Sequence, residues 1–199
     1  MSTRGRGGPG RLAALIAVAI GAAFALAAPV ARADLIDLTA CNTSTLTQPF
    51  APWADLASYE LAPRGDFENA AWTLSGSARR VRGGEPYAAT GALGSWSVAL
   101  PAGSSVRSPS TCVDAAYPTV RFFIAGTGSV LVTIVDGERD IPAGVAVAGF
   151  SWQPTPLMVT SSAVLAAISN GVAQVSVRLT ALTGEPEVDD VFIDPWNRG

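Results

Sequence analysis

The chain has 199 residues with Lys+Arg 13, Asp+Glu 16 and His 0, and all thirteen bases are arginine. Without imidazole there is no Ser-His-Asp or Cys-His nucleophile system, and without lysine there is no Schiff base, pyridoxal phosphate anchor or phosphate-loop lysine. Carboxylate chemistry, oxygen-ligated cations and binding without catalysis remain.

Arg4, Arg6 and Arg11 precede an apolar run from Leu12 to Ala28, which Pro29 closes ahead of Ala31-Arg32-Ala33. Residues 1–33 therefore read as a bacterial Sec-type signal peptide cleaved before Asp34, and the protein is expected to be secreted and extracellular, with no membrane contact after cleavage. A retained transmembrane anchor is the alternative, but the run has 17 residues and is rich in alanine, at the lower edge of what spans a bilayer. Removing the leader leaves 166 residues, which suits one domain with a sizeable core. Four arginines leave with it and no acid does, so nine bases face sixteen acids and the mature charge is minus seven. No basic stripe is left to neutralise phosphates, and no nucleic-acid partner is expected. Arg79, Arg80 and Arg82 form the basic cluster and read as a solvated strand face.

Residues 34–60 read as an N-terminal extension. Cys41 and Cys112 are an even pair in an exported chain and predict one disulfide stapling that extension to residues 61–199. Closing a loop of about 70 residues would stabilise the fold by roughly 4 kcal/mol. Leu38-Thr39-Ala40-Cys41 also matches a lipobox, but Asp34 and Asp37 separate it from the apolar run, and lipidation would leave Cys112 unpaired.

Short period-two segments follow. Trp96, Val98 and Leu100 alternate with small residues up to the Pro101-Ala102-Gly103 turn, and Val120, Phe122 and Ile124 alternate with Thr119, Arg121 and Phe123 before Gly126. Val175, Val177 and Leu179 alternate with Gln174, Ser176 and Arg178. These predict antiparallel strands with one face on a core and one in water. Val130 to Val135 is apolar on both faces and predicts a central or covered strand. Asp136-Gly137 signals a hairpin and Ile141 starts its return. Further strands are predicted near 72–74, 78–81, 104–106, 144–147, 156–160 and 188–193, with a short helix at 162–169 capped by Ser161 or Ser162. Strands at this spacing predict an all-β antiparallel sandwich.

The landmarks in order are Gly65-Asp66-Phe67-Glu68, Trp72-Thr73-Leu74, Ser95-Trp96-Ser97-Val98, Tyr117 to Phe123, the Val130 strand, Trp152-Gln153-Pro154 and Val188-Asp189-Asp190-Val191-Phe192-Ile193-Asp194. They resemble the galactose-binding-like jelly rolls that include many secreted carbohydrate-binding modules. The whole also resembles small exported bacterial proteins, a likeness that implies architecture and compartment but no reaction. The jelly-roll resemblance implies a structural Ca²⁺ between the first and last strands, which points to Glu68 with Asp189 or Asp190 as oxygen ligands. The alternative is that these acids accept backbone N–H groups or pair with arginine. Sugar-contacting aromatics vary in place among such modules, so none carries over by position.

Asp66 and Glu68 are expected to share one side of an extended segment. Asp136, Glu138 and Asp140 cluster on the hairpin and read as a solvated turn, since a hairpin tip does not hold two carboxylates at glycosidase spacing. Trp72 and Trp96 read as core. Trp53, in a Pro-bounded loop, and Tyr87, after Gly83-Gly84-Glu85-Pro86, are the candidates for exposed ligand-binding rings. Three functions follow in order: a non-catalytic module binding a glycan or envelope polysaccharide, a structural or adhesive envelope-associated protein without a small ligand, and a carboxylate-based glycoside hydrolase or lyase. Oligomeric state is not legible.

Overall fold

In a computed structural model, residues 45–114, 119–159 and 172–194 are described, all within one unit spanning Ile36–Gly199. Among the described residues the structure is all-β. In chain order the strands are β1 (Leu46–Thr47), β2 (Tyr59–Leu61), β3 (Thr73–Ser75), β4 (Arg79–Arg82), β5 (Trp96–Ala99), β6 (Ser105–Arg107), β7 (Thr111–Asp114), β8 (Thr119–Asp136), β9 (Arg139–Val147), β10 (Gln153–Pro154), β11 (Met158–Val159) and β12 (Val172–Asp194). A 3₁₀ turn at Ala51–Trp53 is the helical element among the described residues. The helix expected at 162–169, the leader and Cys41 lie outside them. Cys112 sits half-buried on β7.

The sheet is organised by two strands longer than the sequence pattern suggests. The segments expected at 119–124 and 130–135 are one 18-residue strand, β8, and those at 174–180 and 188–193 belong to the 23-residue β12. The two pair antiparallel from Ser176↔Val135 to Asp194↔Thr119. Gly126, which reads as the end of a strand, and Gly128 have φ of 93° and 96°, values that L side chains rarely adopt. They sit opposite Pro186 and Gly184, and a Cβ on Gly126 would lie 2.7 Å from the Glu185 carbonyl oxygen. Glycine here lets two strands turn a corner together without ending their ladder.

On one side of that corner the C-terminal half of β12 pairs with β2 and β5, while the N-terminal half of β8 takes β10 and β11. On the other side, the N-terminal half of β12 pairs with β6 and β7, and the C-terminal half of β8 with β9. Val98, Phe122, Ile124, Val188, Val191 and Ile193 from the first half share one buried cluster with Val106, Val130, Val132, Ile134, Val177 and Leu179 from the second. The sheet thus folds on itself as a jelly-roll sandwich around one apolar core. Val130 to Val135 is flanked by β9 and β12, as its two-sided apolarity predicts.

Two faces expected in water are buried instead. Tyr59, Phe123 and Phe192 form a second apolar cluster with Phe50, on the side of the strands opposite Phe122 and Val191. The chain from Gln48 to Ala57 covers it. On β5, Ser97 and Ala99 are buried as fully as Val98.

The candidate site: an aromatic corner on a carboxylate-anchored loop

The second cluster rests on Arg121, whose place opposite the main core would have exposed its charge. Instead Arg121 is 8% exposed. Its guanidinium lies 4.2 Å from the Phe50 ring centroid, its Nε donates to the Thr155 carbonyl at 2.9 Å, and its Nη1 pairs with Asp55. Tyr59 Oη donates to the same carboxylate at 2.7 Å. Burial pushes Asp55 up, but hydrogen bonds from Tyr59, the Ala57 N–H and Arg121, with the charge of Arg121, hold it below the ordinary carboxylate value. Burial and the Asp55 charge raise the Tyr59 phenol well above its ordinary value. The network fixes the covering segment to β8 and so positions the 3₁₀ turn that presents Trp53.

Trp53 and Tyr87, from segments 34 residues apart in sequence, meet over Phe123. Their ring centroids are 4.8 Å apart at 83°, edge to face, and lie 5.5 and 5.6 Å from that of Phe123. Tyr87 Oη donates to the Trp152 carbonyl at 2.7 Å. Tyr87 is 45% exposed and Trp53 is half-buried. The two rings make a walled corner, with the more open ring fixed at its hydroxyl and its base.

Tyr87 belongs to the loop between β4 and β5, and buried carboxylates hold that loop. Glu85, 3% exposed, accepts the N–H groups of Tyr87 and, at 2.8 Å, Ala89. The Glu85 N–H in turn donates to Asp189 Oδ2 at 2.9 Å. At the foot of the loop, Glu68 Oε1 accepts from Ser95 N at 2.6 Å and Trp96 N at 3.0 Å. Gly84 admits the close approach, because a Cβ there would collide with the Asp189 carboxylate.

The structure therefore gathers Glu68 and Asp189 at one loop and adds Glu85, which sequence reasoning missed. Asp66 and Glu68 do not share an extended segment: residues 63–66 turn, Phe67 has φ of 51°, and Glu68 N donates to Asp66 Oδ1 at 3.3 Å. Asp189 and Asp190 sit where the β12 register shifts, with Asp190 at φ of 45°, which turns both side chains inward. They are 1% and 4% exposed. Burial, partly offset by N–H groups of Glu85 and Asp190, pushes Asp189 up to about 7. Burial, the Asp189 charge and the contact with Glu85 push Asp190 up to about 9.

These oxygens are hard donors of the kind Ca²⁺ takes, but their arrangement does not fit a cation. Among the described residues no three acids or other ligand side chains are placed to hold a metal ion. Glu68 Oε1 and both oxygens of Asp189 and Glu85 face backbone N–H groups. A raised carboxyl pair also marks many catalytic acids, yet a general acid must reach the proton it transfers, and this pair is covered. What the arrangement does is anchor a loop.

Other residues resolve more simply. Trp72 is core, with its edge on Phe67 and its Nε1 donating to the Pro63 carbonyl at 2.9 Å. Trp96 is not core: it is half-buried beside Arg80 and Arg82 on the paired strand. On the hairpin, Asp140 pairs with Arg178 at 2.6 Å and Glu138 is exposed, but Asp136 is buried.

No protein-family model matches the chain, and no curated protein does. Its fold is similar to that of carbohydrate-binding modules. A family 61 module solved with β-1,4-galactotriose aligns with 67% of this chain and 96% of its own, at 16% identity and a TM-score of 0.43. The C-terminal family 6 module of a laminarinase from Zobellia galactanivorans aligns with 62% of this chain and 98% of its own, at 12% identity and 0.42. A cleaved adhesin domain of Lys-gingipain from Porphyromonas gingivalis aligns with 66% and 96%, at 9% and 0.46.

Proposed function

We infer that this protein is a secreted, non-catalytic module that binds a glycan at the corner formed by Trp53 and Tyr87. The observation that carries the reading is the immobilisation of Tyr87. A 45%-exposed ring is held by Phe123 beneath it, by its own hydroxyl on Trp152 and by Glu85 on its backbone. An apolar ring face kept partly open to water binds a sugar ring by burying the apolar C–H face, and rigidity lowers the ordering cost of that contact.

Secretion by a cleaved leader and a Cys41–Cys112 disulfide belong to the same reading. The supporting facts are the leader pattern and the absence of a free cysteine among the described residues. Intact mass of the secreted protein before and after reduction tests both: the mature chain begins at Asp34 and gains two protons on reduction. A start elsewhere or no gain contradicts them.

The structural or adhesive reading has its own observation. Val145 and Val147 on β9, and Phe150 beyond it, are 49%, 66% and 97% exposed, an apolar edge of the kind that meets another protein. A glycan array separates the two. Binding by wild type that Tyr87→Ala weakens supports the module, and no binding by either leaves the adhesive reading.

A further inference from the structure

β4 carries three arginines, and the structure uses them differently. Arg79 pairs with Glu185 across the sheet. Arg80 and Arg82 pair with no carboxylate among the described residues, although the chain as a whole is acidic. Both instead lie against one indole, with guanidinium carbons 4.4 and 4.9 Å from the Trp96 ring centroid. Register explains the meeting: Arg82 is opposite Trp96 and Arg80 opposite Val98, so all four side chains share a face.

The assembly is fixed in place. Arg80 Nη2 donates to the Glu68 carbonyl at 3.1 Å, while the Glu68 carboxylate accepts the Trp96 backbone N–H. Arg80 Nε is buried and makes no hydrogen bond among the described residues. Beside it opens a pocket lined by Phe67, Asn69, Trp72, Leu74 and Val98.

A guanidinium stacked on an aromatic ring uses its flat face and leaves its in-plane N–H donors available for a bidentate anion. Arginines that merely keep an edge strand from pairing need only charge, with no fixed ring contact. Arg82, exposed and held against the half-buried indole, keeps its fork for such an anion, while Arg80, with Nη2 bonded and Nε buried, adds charge beside it.

We propose that Arg82, with Arg80 beside it on Trp96, forms a subsite for an acidic sugar, with the Arg82 fork on the carboxylate of a uronate unit and the indole holding the two arginines in place. The inference rests on the glycan-binding reading and adds the substrate class. Position links the two sites, because Arg82 and Trp96 flank the foot of the loop that carries Tyr87, closed by Gly83 N to Ser95 O at 2.9 Å. A polyphosphate is disfavoured, since two guanidiniums on a protein of net negative charge release few counterions.

The test is affinity electrophoresis of the secreted protein in gels containing polygalacturonate, neutral galactan, dextran sulfate or single-stranded oligonucleotide. The expected result is retardation by polygalacturonate that added salt weakens, with Arg82→Gln losing about tenfold in affinity. Arg82→Lys, which keeps the charge but not the fork, should lose part of that. Arg82 is exposed, so its variants keep the wild-type melting midpoint, and Arg178→Gln serves as a charge-matched control. Galactan bound as tightly as polygalacturonate, with Arg82→Gln unchanged, overturns the acidic subsite and leaves the glycan module standing. Equal binding to dextran sulfate or oligonucleotide, lost alike in Arg82→Gln, overturns the uronate assignment in favour of a general anion site. No retention by any polymer, neutral or acidic, overturns the module itself.

Discussion

The two buried clusters of this sandwich are built on different physics. The main cluster joins both halves of the folded sheet through Val, Ile, Leu and Phe side chains, and transfer of apolar surface from water accounts for it. The smaller cluster is four aromatic rings on the opposite side of the strands, closed by a charged network around Arg121 and flanked by buried carboxylates. The first tolerates similar apolar replacements. The second depends on particular atoms, hydrogen-bond directions and protonation states. The candidate binding rings sit on the second, so the part of the molecule that carries the proposed site is the part most sensitive to single atoms and to pH.

The largest expected effect comes from the main core. Phe122→Ala removes a fully buried ring and should cost about 3–5 kcal/mol in denaturant unfolding, with the slope retained. Next comes the charged network. Arg121→Gln leaves Asp55 and the Thr155 carbonyl short of a donor and should cost about 1–3 kcal/mol. It should also release Trp53, read as increased quenching of tryptophan fluorescence by acrylamide. If Arg121→Gln cost more than Phe122→Ala, the ranking of the two clusters would be wrong.

The effect that separates the clusters most sharply is pH dependence in chelator-treated protein. Asp189 and Asp190 have folded values of about 7 and about 9 against an ordinary 3.8. Each contributes stability that is fully present below pH 3.8 and is lost as pH rises through its folded value. Unfolding free energy should therefore fall between about pH 4 and pH 9. Asp190→Asn, which keeps a donor toward Glu85, should flatten the fall, whereas the Phe122→Ala profile should parallel wild type. Calcium added at pH 8 should leave the melting midpoint unchanged. A rise would restore the cation expected at Glu68, Asp189 and Asp190.

Period-two patterning makes most strands legible, because alternation reports which face meets a core. It fails at Gly126, since a glycine that ends a strand and one that turns a paired strand look alike without the partner. It fails at Arg121 and Phe123 because the covering segment from Gln48 to Ala57 lies more than sixty residues upstream, and a second covered face leaves no local trace. Glu85 reads as a turn residue, since the Asp189 it meets is 104 positions away. Trp96 reads as core from its own strand alone, and only the register with β4 shows the arginines against it. Trp53 and Tyr87 were legible as loop aromatics, from flanking Pro and Gly, but their meeting over Phe123 was not.

The central claim is that a fixed, open Tyr87 face beside Trp53 binds sugar. Its most direct measurement is isothermal titration of wild type and Tyr87→Ala with the glycan selected by array, beside melting curves of both. The account predicts a loss of roughly 1–2 kcal/mol in binding, about five- to thirtyfold, with the melting midpoint within a few degrees of wild type. Unchanged affinity in a folded Tyr87→Ala protein would contradict it.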